Sequence, residues 1–186
     1  MKEMGRQLLH MIFGALLLFI ANFAGRDNTL LLLLIILLLG LLLVQLKLEG
    51  FENKFIDFML ENFDRKEKLP ARGGITYVAG ALFLFAATPF AFALGITAIL
   101  AFGDGFATMV GLSGKKKLPF PFNPRKTLEG LAAFVLAGVA SSMFFVGAET
   151  AIFYSVLLAV VESIDLRIDD NLLIPFIATM VKTIFK

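Results

Sequence analysis

Between Thr29 and Leu46 the chain reads TLLLLLIILLLGLLLVQL, without a single charged residue. A hydrocarbon core about 30 Å thick is crossed by roughly 17–25 apolar residues in helical form, so this one stretch is long enough to span. Inside lipid the backbone must satisfy its own N–H and C=O groups, which leaves only helices and closed barrels. Barrel strands alternate apolar and polar residues with period 2, and no such alternation is present. Composition points the same way. Hydrophobic residues make up 59% of the 186 residues and the mean hydropathy is +0.87, against an apolar share of about 45–50% in soluble domains. The expected fold is an all-α, polytopic integral membrane helix bundle forming a single domain over residues 1–186.

Seven helices are expected near 8–24, 29–46, 75–89, 90–110, 127–146, 148–161 and 171–185, the third, sixth and seventh being short for full spans. The N-terminus has the basic start and apolar middle of a signal peptide. Because further spans follow, it reads as a retained first helix. Between the second and third spans, residues 47–72 form a charged segment in which Phe51, Phe55, Phe58, Met59 and Phe63 recur at three- and four-residue steps. That spacing marks one amphipathic helix lying on the membrane surface or under the bundle.

Orientation follows from the basic residues of alternate connections. Fourteen of the 17 lysines and arginines fall on one side: Lys2 and Arg6, then Lys47, Lys54, Arg65, Lys66, Lys68 and Arg72, then Lys115 to Lys117, Arg125 and Lys126, and finally Arg167. Only Arg26, Lys182 and Lys186 fall on the other. The first side is expected to be cytoplasmic, with the N-terminus and the polar loops on it. The net charge of only +2 gives no bulk attraction for nucleic acid. The absence of cysteine excludes disulfides, thiolate metal sites and cysteine nucleophiles.

On the basic side several polar clusters converge. Asp104, between Gly103 and Gly105, ends an apolar span, and an acid there is either an interfacial group reaching water or a functional one. Ala107 and Gly111 follow it at helical spacing, small enough for another helix or a nucleotide to approach closely. The loop 111–127 carries Gly111, Gly114, Lys115, Lys116, Lys117, Arg125, Lys126 and Thr127. Glycine-rich turns with lysines cradle polyphosphate, although a basic loop also serves as a plain topology anchor. Lys126 to Gly130, KTLEG, opens a helix whose N-terminus favours an anion, and Glu129 in that first turn either caps the helix or ligates a metal. Glu162, Asp165, Asp169 and Asp170 crowd around Arg167. His10, the one histidine, stands a helical turn beyond Arg6.

These residues resemble the CTP-dependent polyprenol kinase family, which includes dolichol kinase, phytol kinase and a CTP-using diacylglycerol kinase. The likeness lies in GDGFATMVG at 103–111, Gly114–Lys115, KTLEG at 126–130, RQLLH at 6–10 and DNLLIP at 170–175 after Glu162. The spacing departs from the family pattern in two places: only Leu112 and Ser113 separate Gly111 from Gly114, and Gln7 replaces a lysine. The resemblance implies transfer of the γ-phosphate of CTP to the hydroxyl of a polyprenol, dolichol or similar lipid alcohol, with Mg²⁺ as cofactor. It gives catalytic roles to Asp104, Glu129, His10 and Glu162, and metal ligation to Asp104, Glu129 and Asp170. It gives nucleotide binding to Gly111, Gly114, Lys115, Arg125, Lys126, Thr127 and Arg6. The implied partners are the lipid bilayer, the lipid alcohol and CTP, with a homodimer left open and no nucleic acid. Two alternatives stand beside it. A CTP-dependent cytidylyltransferase resembling CDP-diacylglycerol synthase would share the aspartate, the glycines and the KTLEG-like stretch. A small transporter or scaffold would need a midplane site open to both sides, whereas the polar groups here gather on one.

Overall fold

The computed structural model describes residues 2–63, 69–119, 121–164, 166 and 168–185, without the side chains of Lys2 and Phe63. Arg65, Lys66 and Lys68 of the basic side, Asp165 and Arg167 of the last polar cluster, and Lys186 lie outside the described residues. The order of elements is α1 (Lys2–Leu48), α2 (Lys54–Phe63), α3 (Arg72–Ala87), α4 (Phe90–Ala98), a π-helical turn (Ile99–Asp104), α5 (Gly105–Gly111), α6 (Leu128–Val146), α7 (Ala148–Ser163) and α8 (Asp170–Ile184). Among the described residues the fold is all-helical, with no strand. Two isolated antiparallel bridges, Lys117 with Thr127 and Phe122 with Ile164, tie down the long loop before α6.

The first element is one helix in name only. Gly25 breaks it with φ 77° and ψ 177°, a conformation open to glycine and strained for any residue with a Cβ. Gly14 and Gly40 are 26 residues apart, about 39 Å along a straight helix. Yet a methyl on Gly14 would lie 3.0 Å from the Tyr77 hydroxyl, and one on Gly40 2.7 Å from Ile75 Cδ1. Both arms therefore pack on the same part of α3, so the chain folds back at Gly25. Side chains collect the backbone groups released there. Thr29 Oγ1 donates to the Gly25 carbonyl at 2.6 Å and Asn28 Nδ2 to that of Ala24 at 2.9 Å, while Arg26 reaches the Ala86 carbonyl near the end of α3 at 2.8 Å. The two expected helices at 8–24 and 29–46 are these two arms.

From Phe90 to Gly111 the chain runs as one rod of α4, the π turn and α5, and this rod is the buried axis of the bundle. Small residues let its neighbours close in. A methyl on Gly103 would stand 3.1 Å from the Phe134 ring of α6, and one on Gly105 would stand 2.5 Å from Met11 Cγ of α1. Ala107 and Gly111 do what their size predicts, because a methyl on Gly130 of α6 would meet the Ala107 carbonyl at 2.8 Å and Gly111 Cα at 3.2 Å. The outward surface is apolar, with Phe23, Leu136 and Phe144 at 75%, 72% and 84% exposure, the reverse of a water-facing bundle. By length and composition Glu3–Leu48, Phe90–Gly111 and Leu128–Val146 are able to cross a membrane; Arg72–Ala87 is apolar but shorter.

The amphipathic helix expected within 47–72 is α2. Asn53 caps it, Oδ1 accepting from the amides of Phe55 and Ile56 at 3.1 and 3.2 Å, and Lys47 at the end of α1 pairs with Asp57. Phe55 and Phe58 stay exposed on it. At the break in α1, Gly25→Ala imposes a Cβ on a glycine-only conformation; it is expected to lower unfolding stability in detergent by about 1–3 kcal/mol, read as a lowered Tm, with Gly74→Ala in α3, where a Cβ meets open space at an ordinary helical φ, as the unaffected comparison.

Candidate functional site

Three acids from three elements meet at one end of the rod. Asp104 closes the π turn, Glu162 ends α7 and Asp170 begins α8, and one carboxylate oxygen of each lies within 4.8 Å of the others. Asp104 and Glu162 are buried, at 9% and 5% exposure. Asp170 is presented by a capped helix start, where Asp169 Oδ1 accepts from the Asn171 amide at 3.1 Å. Asn171 Nδ2 then anchors that start to α3, donating to the Gly73 carbonyl at 3.1 Å. Like charges about 5 Å apart repel by roughly 3 kcal/mol per pair at an effective dielectric of about 20, so three carboxylates persist together only with protons or cations among them. One cation is supplied by the chain, since Lys126 forms an ion pair with Glu162. Burial pulls the Lys126 ammonium pKa down, but Glu162, Asp104 and Asp170 together outweigh burial and hold it above its ordinary value. One lysine balances one of the three acids. The remaining oxygen donors are the kind that a hard divalent cation such as Mg²⁺ takes.

Beside the trio stands His10. Its Nε2 lies 4.0 Å from Asp104 Oδ2 and 3.3 Å from the Leu100 carbonyl, and its ring packs edge-on against Tyr77 with 4.8 Å between centroids. Arg6, one turn earlier, pairs with Glu3, while its Nε is buried with no hydrogen-bond partner among the described residues.

Two cavities meet here. A polar one of about 760 Å³ is lined by Lys117, Arg125, Lys126 and Thr127 from the long loop, by Gly111 and Gly130, and by Glu162. An apolar groove of about 460 Å³ runs between the two arms of α1 and α3, past Phe13, Leu17, Ile36 and Val78, and ends at His10 and Asp104. Arg6, Arg72, Asp169 and Asp170 line both. The site thus has a wet side rich in cations and a greasy side, joined at the acids.

The long loop is shaped for the first of these. Lys117 pairs with Thr127, the Leu128 amide bonds the Lys116 carbonyl at 2.8 Å, and the Asn123 amide bonds the Ser163 carbonyl at 2.8 Å. Thr127 is the N-cap of α6, its Oγ1 accepting from the Gly130 amide at 3.1 Å. Gly114 is packed so tightly on Thr127 that a methyl would lie 2.4 Å from Oγ1.

Of the residues expected to act, Asp104, Asp170, Glu162, His10, Arg6 and Lys126 are brought together, and Gly111, Arg125 and Thr127 line the polar cavity. Glu129 is not with them. Its carboxylate accepts from the amides of Lys115 at 3.1 Å and Lys116 at 3.2 Å, closing the loop on itself, and Glu162 takes the third place in the acid cluster. The Lys115 side chain is exposed and lines neither cavity, and Gly114 serves packing. Lys117 and Arg72, which the sequence offers only as members of the basic side and the lysine run, line the polar cavity, and Tyr77 joins the site with no signal in the sequence. The run of three lysines does not tell Lys117 from its neighbours, and nothing in a linear reading brings Tyr77 or Gly73 to this site.

No protein-family model matches the chain, and no solved structure matches it. Over 185 residues it is 30% identical to the uncharacterized protein MJ1137 of Methanocaldococcus jannaschii, a match covering 97% of this chain and 93% of that protein. Similarity at this level over nearly the whole of both chains makes this protein a member of the same family as MJ1137.

Proposed function

We propose that this protein is a multi-pass membrane phosphotransferase that moves the γ-phosphate of CTP to the hydroxyl of a lipid alcohol such as a polyprenol or dolichol. The observation that carries this reading is the position of Asp104, Glu162 and Asp170 where a cation-lined polar cavity of about 760 Å³ meets an apolar groove of about 460 Å³. Such a reaction needs a nucleotide in water, a tail in hydrocarbon and their reacting atoms in one place. In this reading the two arms of α1 and helices α3 to α8 traverse the bilayer in about seven crossings. The basic side is cytoplasmic, and α2 lies on that surface with Phe55 and Phe58 in the interface.

Phosphoryl transfer is mostly a matter of positioning and of charge around the phosphates. Lys117, Arg125 and Lys126, with Arg6 and Arg72, face the polar cavity and supply positive charge there. Asp104, Glu162 and Asp170 are the residues that would hold Mg²⁺, which when bound neutralises phosphate oxygens and fixes their geometry. The acceptor alcohol lies with its tail between the arms of α1 and its hydroxyl at the groove's end, where Asp104, Asp169 and Asp170 are the carboxylates that line the groove. The lipid oxygen forms a bond to Pγ as the bond from Pγ to the β-phosphate oxygen breaks. CDP leaves, and the hydroxyl proton passes to a carboxylate. Were the acids to hold a cation, Lys126 would no longer be needed to balance Glu162 and would be free to meet the phosphates.

Purified protein with CTP, Mg²⁺ and a lipid alcohol is expected to transfer label from the γ position into lipid. Label from the α position with release of pyrophosphate, given a lipid phosphate, would make it a cytidylyltransferase instead. Mn²⁺ titrated into the protein without substrates and followed by its EPR signal is expected to bind, and Asp104→Asn, Glu162→Gln or Asp170→Asn to weaken that binding tenfold or more, on the order seen when metal sites lose an essential group. Glu129→Gln is expected to leave Mn²⁺ affinity within about twofold of wild type, because a glutamine carbonyl still accepts from the loop amides and lies outside the cluster.

A further inference from the structure

Asp104 reaches the acid cluster only because of how the central rod is wound. The run from Phe90 to Gly111 contains a π turn at Ile99–Asp104, and Asp104 is its last residue. A π turn takes up extra chain within an α-helix. Removing one residue's worth of it rotates everything beyond by about 100°, the angle per residue of an α-helix. Glu162 and Asp170 come from α7 and α8 and would not follow such a rotation. The register of the π turn therefore decides whether the trio exists.

Two side chains from neighbouring helices hold this part of the rod by its carbonyls, one at Leu100 within the π turn and one at Ala98 just before it. On one side His10 Nε2 lies 3.3 Å from the Leu100 carbonyl. A carbonyl only accepts, so this nitrogen carries the hydrogen, and it is the same nitrogen that faces Asp104 Oδ2 at 4.0 Å. The edge-on Tyr77 ring fixes the plane of the imidazole. On the other side Ser141 Oγ of α6 lies 3.3 Å from the Ala98 carbonyl and 3.2 Å from that of Gly138. The close approaches of Met11 to Gly105 and of Phe134 to Gly103 press α1 and α6 against the same turn.

The geometry points to His10 and Ser141 as positioning residues: they hold the π turn in register and so keep Asp104 in the cluster. His10 then acts through Asp104 and does not take the acceptor's proton. This deepens the proposed function, because it rests on the acid trio being the working site.

The chain has no cysteine, so a pair can be placed cleanly. Asp104→Cys with Asp170→Cys, treated in detergent with a short bifunctional thiol reagent because the two side chains end within 4.8 Å of each other, reports the direction of residue 104 without metal or substrate, and Mn²⁺ affinity of the cysteine-free chain reports the same thing through the acids. The parent pair is expected to cross-link readily. Ser141→Ala, which deletes one hydroxyl, is expected to lower both readouts severalfold, and His10→Leu with Ser141→Ala about tenfold, as befits two lost hydrogen bonds. His10→Gln, whose amide N–H reaches the same carbonyl, restores them; a role as proton acceptor would not be rescued in this way. Failure of the parent pair to cross-link, readouts unmoved by Ser141→Ala and His10→Leu, or His10→Gln behaving like His10→Leu would each overturn the inference. If cross-linking depends on His10 while the wild-type chain binds no Mn²⁺, the metal reading fails and the positioning role stands. If Mn²⁺ binds tightly and is indifferent to both residues, the reverse holds.

Discussion

Mutual repulsion among Asp104, Glu162 and Asp170 is the constraint around which the rest of this molecule is arranged. Each carboxylate is delivered by a different element, and in an apolar bundle each carries a desolvation cost of several kcal/mol unless something pairs with it. Lys126 meets one of them. It is in place because Thr127 caps α6 directly after it and because the loop is stitched by the Lys117–Thr127 bridge and by Asn123 to Ser163. Loop, cap and ion pair form one unit, and the unit exists to set a cation at the mouth of a polar cavity.

The groove depends on a different feature, the reversal at Gly25. Without it α1 would run past the bundle as a single rod, and no second arm would stand opposite Leu17 to enclose an apolar space. The arm carrying Arg6, His10 and Met11 is the same one that braces the π turn, so the wall of the groove and the geometry of Asp104 are coupled through one helix. A molecule lying between the arms of α1 touches the element that positions an acid of the cluster. Binding on the greasy side and order on the wet side are then linked by packing alone.

Much of this was legible in the sequence because the relevant signals are local. The charge-free run after Thr29 could only be helical in lipid, the polar residues at 25–28 separate it from the apolar stretch at 8–24, and KTLEG announced the start of α6. Asp104, Glu162 and Asp170 stood out because each ends or begins an apolar stretch. Glu129 was harder. A first-turn glutamate is equally fit to cap or to ligate, and only the fold shows two loop amides returning to it, while Glu162, read as a catalytic acid, completes the trio. The π turn was invisible, since ILAFGD carries the same apolar pattern in either winding and the groups packed against it come from other helices, His10, Ser141, Met11 and Phe134.

The central claim is that the acid trio is a divalent-cation site at the junction of a polar cavity and a lipid groove. Anomalous diffraction from crystals grown in lipid with Mn²⁺ tests it most directly. The account predicts a single strong peak bounded by the carboxylates of Asp104, Glu162 and Asp170, with Lys126 moved off Glu162 toward the polar cavity. A peak at Glu129, or no peak with Lys126 still paired to Glu162, would contradict it.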